Sequence, residues 1–281
     1  MTKHLRPPIP LAKGTDLRLT VVGSSGSMSG PASPASCYLL QADGVDPETG
    51  RKRTWSIVMD IGPGSFGALW QYVEPRQVDA LLVSHGHADH MADVISFHVF
   101  LKWHPDGPNS DLPVYGPKEV RKRVRQIDGY DQERSTEESF NFVPVTEGDQ
   151  FSVGPMTIQT HAALHPVEAY GFRVVGPSDV NSGEDSVFGY TGDTDLAPSM
   201  VELAWDATLL LAEAGFTKDV EVRGVHMTGE RAGQLAKEAD VKELVLTHVQ
   251  PWTDPEVVFA EARSQFTGMI DLAAPGGIWV F

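Results

Sequence analysis

With one cysteine in 281 residues, Cys37, the chain has no internal disulfide to hold it together, and a cytoplasmic location is expected. Cys37 opens the apolar run Tyr38-Leu39-Leu40 and reads as a buried small hydrophobe. No stretch approaches the roughly 18 apolar residues of a membrane span, so no membrane partner is expected. Residues 1–13 are polar and broken by proline, without the apolar segment of a secretory signal. Positive charge is also scarce: 22 Lys and Arg face 38 Asp and Glu, a formal net charge of −16. Such a surface repels polyanions at long range, which argues against a general nucleic-acid binder. A small anionic substrate stays compatible with it if bound divalent cations offset the charge locally. No linker or repeat divides the chain, so residues 16–281 read as one domain behind an N-terminal arm, residues 1–15, that carries His4.

Histidine, by contrast, is concentrated. The apolar run Ala80-Leu81-Leu82-Val83 ends in Ser84-His85-Gly86-His87-Ala88-Asp89-His90. A buried strand that opens onto three histidines and an aspartate would have to desolvate them, at a cost that a partner must offset. A metal is the fitting partner, because neutral imidazole and carboxylate suit zinc, manganese or iron, and such a cluster can hold more than one ion.

The rest of the chain alternates between strand and helix patterns. Period-two or continuous apolar runs predict strands over 16–22, 37–42, 55–60, 80–83, 113–116, 140–145, 150–160, 169–175, 187–191, 207–212, 243–246 and 278–281. Helical spacing predicts helices over 65–72, 89–103, 118–127, 196–204, 228–239 and 255–266. The helix over 118–127 carries Arg121, Lys122, Arg123 and Arg125, which reads as a solvated basic face. The run Gly23-Ser24-Ser25-Gly26-Ser27-Met28-Ser29-Gly30-Pro31 is a loop that could line a pocket. Two strand-rich halves with marginal helices suit an α/β (α+β) fold in which two mixed β-sheets pack face to face, each covered by helices.

The segment His85-x-His87-x-Asp89-His90 resembles the signature of the metallo-β-lactamase superfamily, an αββα sandwich of hydrolases with one- or two-metal sites. Further motifs follow the superfamily's order: Asp60 after Trp55-Ser-Ile-Val-Met59, His165 in His-Pro-Val-Glu-Ala-Tyr-Gly, Asp193 in Tyr-Thr-Gly-Asp-Thr, and His248 in Leu-Thr-His-Val-Gln-Pro. The resemblance implies that His85, His87 and His165 hold one divalent ion, that Asp89, His90 and His248 hold a second, and that Asp193 bridges them. Asp89 is expected to serve catalysis as well, and Asp60 to orient a ligand histidine. His165 is preferred over His161 because it stands in the His-Pro context. His98 and His104 are expected to be structural.

His226, 22 residues before His248 (248 − 226), begins a stretch similar to one in the phosphodiesterase branch, which includes the tRNA 3′-processing nucleases. There the extra histidine contacts phosphate or protonates the leaving oxygen, and Glu213 resembles the glutamate that supports it. The tRNA nucleases carry a long arm between the equivalents of His165 and Asp193, whereas this interval spans 28 positions (193 − 165). The serine-rich loop, Trp103-His-Pro, His165-Pro-Val-Glu and Thr247-His-Val-Gln-Pro-Trp look most like atypical class II cyclic-nucleotide phosphodiesterases. That resemblance implies hydrolysis of 3′,5′-cyclic AMP to 5′-AMP by a hydroxide held between two metals, zinc or else manganese or iron. It also implies a small cyclic nucleotide as partner and a homodimer; Ser25, in the serine-rich loop, is expected to line the nucleotide pocket. A ribonuclease of the tRNA 3′-processing type, or a hydrolase of another phosphodiester, is the alternative.

Overall fold

The computed structural model describes residues 16–129, 138–178 and 184–281, so the arm over 1–15, with His4, lies outside the described residues. The first half supplies strands β1 (Arg18–Gly23), β2 (Cys37–Val45), β3 (Lys52–Met59), β4 (Ala80–Leu82), β5 (Leu112–Gly116) and β6 (Phe140–Pro144). Its helices are α1 (Ser65–Leu69), α2 (Ala88–Met91), α3 (Val94–Trp103) and α4 (Glu119–Asp128). The second half supplies β7 (Gln150–Val153), β8 (Met156–Ala162), β9 (Tyr170–Gly176), β10 (Ser186–Tyr190), β11 (Leu209–Glu213), β12 (Glu243–Thr247), β13 (Met269–Leu272) and β14 (Ile278–Val280). Helices α5 (Pro198–Ala204), α6 (Gly229–Glu238) and α7 (Pro255–Gln265) alternate with its later strands.

Two seven-stranded sheets result, in the orders β14-β1-β2-β3-β4-β5-β6 and β13-β12-β11-β10-β9-β8-β7. Each is mixed. The first is antiparallel from β14 to β3 and parallel from β3 to β6. The second is parallel from β10 to β13 and antiparallel from β10 back to β7.

Alternation explains the layering. Ile57 and Met59 of β3 and Leu209 and Leu211 of β11 point into the shared core between the sheets, with Tyr38, Phe172, Phe188 and Tyr190. Val58 faces the other way, under α1, α3 and α4, with Leu39, Leu81, Val94, Phe97 and Val124. Leu210 and Ala212 likewise face α5, α6 and α7, beside Leu203, Leu235 and Val258. A strand buried on both faces must be apolar at every position, which is why β4 and β11 read as continuous runs. Each fully buried Leu, Ile or Phe contributes about 1.5–3 kcal/mol relative to exposure. Cys37 is fully buried among the helix-facing residues of the first sheet, as its neighbours implied.

Several predicted boundaries change. The strand over 150–160 is a hairpin, because Gly154 at φ +57° and Pro155 turn β7 back onto β8. The helix over 89–103 breaks at Ala92-Asp93, where Asp93 Oδ2 accepts the Phe66 N–H at 2.9 Å, and α2 and α3 flank the break. The helix over 65–72 keeps only one turn, α1, before its C-terminal part closes as a turn. Strand β13 was not anticipated, and β2 and β3 extend further into the hairpin tip than residues 42 and 55. Exposed Arg121, Lys122 and Arg123 on α4 match the expected solvated face. No helix among the described residues is long and apolar enough to cross a membrane.

Candidate metal centre

The parallel strands place the site. Asp60 follows β3, the Ser84–His90 segment follows β4, Asp193 follows β10, Glu213 ends β11 and His248 follows β12. All leave at carboxyl ends of strands, where sheet edges open and loops converge. His165 arrives from the turn between β8 and β9, which pairs with the β4 loop through the His85·Ala169 bridge.

These loops bring the predicted histidines together as two adjoining groups. In the first, His85 Nε2 lies 2.9 Å from His87 Nδ1, which lies 3.1 Å from His165 Nε2. In the second, His90 Nε2 lies 3.3 Å from His248 Nε2 and 3.4 Å from Asp89 Oδ2, and His248 Nε2 is 3.3 Å from that same oxygen. Asp193 stands between them. Its Oδ1 is 3.1 Å from His90 Nε2 and 3.4 Å from His248 Nε2, while its Oδ2 is 3.9 Å from His85 Nε2.

The surroundings fix which ring nitrogens face inward. His90 Nδ1 donates to Asp60 Oδ2 at 2.6 Å, and His165 Nδ1 donates to the Val225 carbonyl at 2.8 Å. Both Nε2 atoms then face the cluster. Asp60, fully buried, collects three more hydrogen bonds: from Ser84 N at 2.7 Å, Ser84 Oγ at 2.8 Å and Tyr190 OH at 2.6 Å. Sequence reasoning gave no role to Ser84, next to His85, or to Tyr190, because their contacts with Asp60 come only from folding, Ser84 from the neighbouring strand and Tyr190 from across the sheets.

The donor set fits divalent cations. Inward lone pairs about 3 Å apart repel unless a positive charge lies among them, and Asp193 Oδ1 is buried and accepts no well-aligned hydrogen bond. Burial opposes a charge on His90, yet the Asp193 and Asp60 carboxylates outweigh it and hold its pKa well above the usual imidazole range. Burial pushes His85, His87 and His165 down, so those rings are neutral donors. Burial would raise Asp193, but the facing His248 and His90 hold it well below the usual carboxylate range. Among the described residues, His85, His87 and His165 form one group able to hold a metal, and Asp89, His90, Asp193 and His248 form another.

The backbone is strained where these groups meet. His248, Asp60 and Ser27 adopt left-handed conformations at φ +60°, +56° and +62°, each of which costs of order 1–3 kcal/mol outside glycine. The serine-rich loop presses on this corner: a Cβ on Gly26 would sit 2.0 Å from the His248 carbonyl oxygen, so only glycine fits. Ser27 N lies 3.2 Å from His248 Nε2 as a donor.

His226 adjoins both groups. Its Nδ1 donates to Glu213 Oε1 at 2.9 Å and lies 3.7 Å from Asp193 Oδ2. Burial opposes its charge, but Glu213 prevails and pushes the pKa up to about 9. Glu213 is held in turn by Thr194 N at 2.8 Å and Gly215 N at 3.1 Å. Ser25 stands apart from the histidines, its buried hydroxyl in a cavity of about 370 Å³ lined also by Val249, Gln250 and Pro251. The remaining histidines lie elsewhere. His98 pairs with Ser139 Oγ at 2.9 Å and His104 with Arg76 at 2.8 Å, while His161 lies on β8, outside both groups.

Two helix-covered mixed sheets with clustered His and Asp at their carboxyl ends define a metallo-hydrolase of the αββα class. A family model described as a β-lactamase superfamily domain matches residues 56–249, and the chain belongs to that superfamily as a metal-dependent hydrolase of its metallo-β-lactamase type. An uncharacterised protein of Mycobacterium tuberculosis is 35% identical over 257 residues, which cover 90% of this chain and 88% of that one. A probable metallo-hydrolase of Bacillus subtilis, YhfI, is 28% identical, covering 94% of this chain and 99% of its own. The crystal structure of that fold relative superposes with a TM-score of 0.78 over 95% of this chain and 100% of its own. Ribonuclease Z of Myxococcus xanthus is 26% identical over 78% of this chain and 86% of its own.

Proposed function

We propose that the protein is a binuclear phosphodiesterase that hydrolyses 3′,5′-cyclic AMP to 5′-AMP. His85, His87 and His165 would hold one divalent ion, Asp89, His90 and His248 the other, and Asp193 would serve both. Two such ions supply Lewis acidity toward phosphoryl oxygens and lower the pKa of an attacking water. Asp60 keeps His90 in its donor tautomer, and the Val225 carbonyl does the same for His165.

The observation that carries the reading is His226, backed by Glu213 and set 3.7 Å from Asp193. A phosphodiester breaks its P–O bond to an alkoxide, a poor leaving group that needs a proton. His226 keeps Nδ1 on Glu213 and so offers its other nitrogen, Nε2, as general acid to the departing 3′ oxygen. A thioester, by contrast, expels a thiolate, which leaves without such an acid. Ser25 and its cavity are assigned to the nucleotide, and the functional unit is proposed to be a homodimer. The similarity to ribonuclease Z favours a second reading, an endonuclease of the tRNA 3′-processing type, which the net charge of −16 opposes.

Product analysis tests the choice. Purified protein loaded with zinc or with manganese should convert cyclic AMP to 5′-AMP, and a His87→Ala control should not. A protein holding two ions that yields no AMP, yet cleaves a tRNA precursor with steep salt dependence, would replace the first reading by the second.

A further inference from the structure

Beside the metal centre lies a buried ion pair that the proposed function leaves without a task. Asp195 and Arg231 are each 5% exposed, and Arg231 Nη1 donates to Asp195 Oδ1. Removing two charges from water is costly, and such a pair often contributes less stability than apolar residues of the same volume. Its partners suggest a different role. Asp195 Oδ2 accepts the Gly224 N–H at 2.7 Å, and Arg231 Nη2 donates to the Val222 carbonyl at 2.8 Å. The pair therefore grips residues 222 and 224 from both sides.

The gripped residues lead directly into the site. Val225 offers the carbonyl that orients His165, and His226 is the next residue. On the other side, Asp195 N donates to the Leu164 carbonyl at 2.9 Å, and Leu164 N donates to Thr194 Oγ1 at 2.9 Å. The side chains of the pair thus join the segments carrying Asp193 and His226, while the segment carrying His165 is tied to the Asp195 main chain and to Thr194. The loop over 217–227 has no helix or strand of its own, and Asp219, Val220, Glu221 and Arg223 lie exposed. A loop of this kind keeps an angstrom-level register only where something grips it.

We propose that Asp195 and Arg231 are positioning residues for leaving-group protonation, clamping residues 222–224 so that His226 stays aligned with the metal-holding groups. The kinetic consequence rests on the phosphodiesterase reading, whereas the clamp does not.

The test compares Asp195→Asn with the apolar double variant Asp195→Leu/Arg231→Met, on two diesters. Cyclic AMP expels an alkoxide and needs the proton; bis(4-nitrophenyl) phosphate expels a nitrophenolate and does not. Both variants should keep both ions, hold bis(4-nitrophenyl) phosphate turnover near wild type, and lose about 10²-fold in kcat for cyclic AMP with little change in KM. The double variant should regain the wild-type Tm without regaining that kcat. Equal losses on both diesters, or recovery of kcat together with Tm, would overturn the proposal. Amide exchange of residues 220–227 in the zinc-loaded protein separates the two failures. If the wild type makes no AMP, the cyclic AMP reading falls, while faster exchange in Asp195→Asn still upholds the clamp. Unchanged exchange removes the clamp whatever the substrate.

Discussion

The two halves of the metal centre are built on different physics. His85, His87 and His165 are three imidazoles that burial keeps neutral, and two of them are only partly buried. Asp89, His90, Asp193 and His248 include two carboxylates, and Asp60 stands behind His90 with its four hydrogen bonds. The first group would bind a cation as neutral donors near solvent. The second would bind it with negative charge in a low-dielectric interior, where Coulombic attraction is stronger. Adjoining ligand groups can therefore differ in affinity and accessibility although both are made largely of histidine.

Asp193 stands between the two groups, with Oδ1 toward His90 and His248 and Oδ2 toward His85, so Asp193→Ala should break the comparison most completely. Turnover should vanish and metal content should fall at both positions, as measured by elemental analysis after gel filtration. His226→Ala should leave both ions in place yet lower turnover by about 10²–10⁴-fold, the usual share of a general acid; an undiminished rate would remove His226 from the chemistry. Asp60→Asn should act chiefly on one half, weakening the ion held by His90 by roughly 10–100-fold and the other, which Asp60 reaches only through Ser84 Oγ and His85 Nδ1, less. Competitive chelation resolved into two phases would show this, and equal weakening of both would contradict the asymmetry.

Protons should separate the halves too. The raised pKa of His90 means that its Nε2 must give up a proton before it can bind an ion. Loading of the second group should therefore tighten as pH rises, while loading of the first, already neutral, changes less near pH 7. Calorimetry in buffers of different ionisation enthalpy counts the released protons. The smallest effect concerns Glu213. An acid at His226 is protonated below about 9 and lost above it, so turnover should fall as pH rises through that value. Glu213→Gln removes the charge that raises the pKa, and the alkaline limb should move to lower pH.

Much of this was visible in the chain before folding. The continuous run Ala80–Val83 marked a doubly buried strand, and β11 carried the same signal. Strand β13 escaped because Met269-Ile-Asp-Leu is short and lies at a sheet edge, where few contacts impose a pattern. The 150–160 hairpin was hidden because its turn, Gly154-Pro155, is shorter than the alternation around it. His165 rather than His161 lies with His85 and His87. His161 lies within β8, whereas His165 lies in the loop beyond it, beside the β4 loop.

Residue chemistry and chain order alone determined the class of site: imidazoles and carboxylates placed at the ends of apolar runs must face a polar partner when those runs are buried. The convergence itself came only from tertiary structure. Asp60 meets Tyr190 across 130 positions, and His248 meets Asp89 across 159. The same packing holds His248 and Asp60 in left-handed backbone and sets an ion pair under the His226 loop. Local sequence encodes propensity and ligand type, but a strained dihedral or a buried charge persists only when contacts from distant segments compensate its cost.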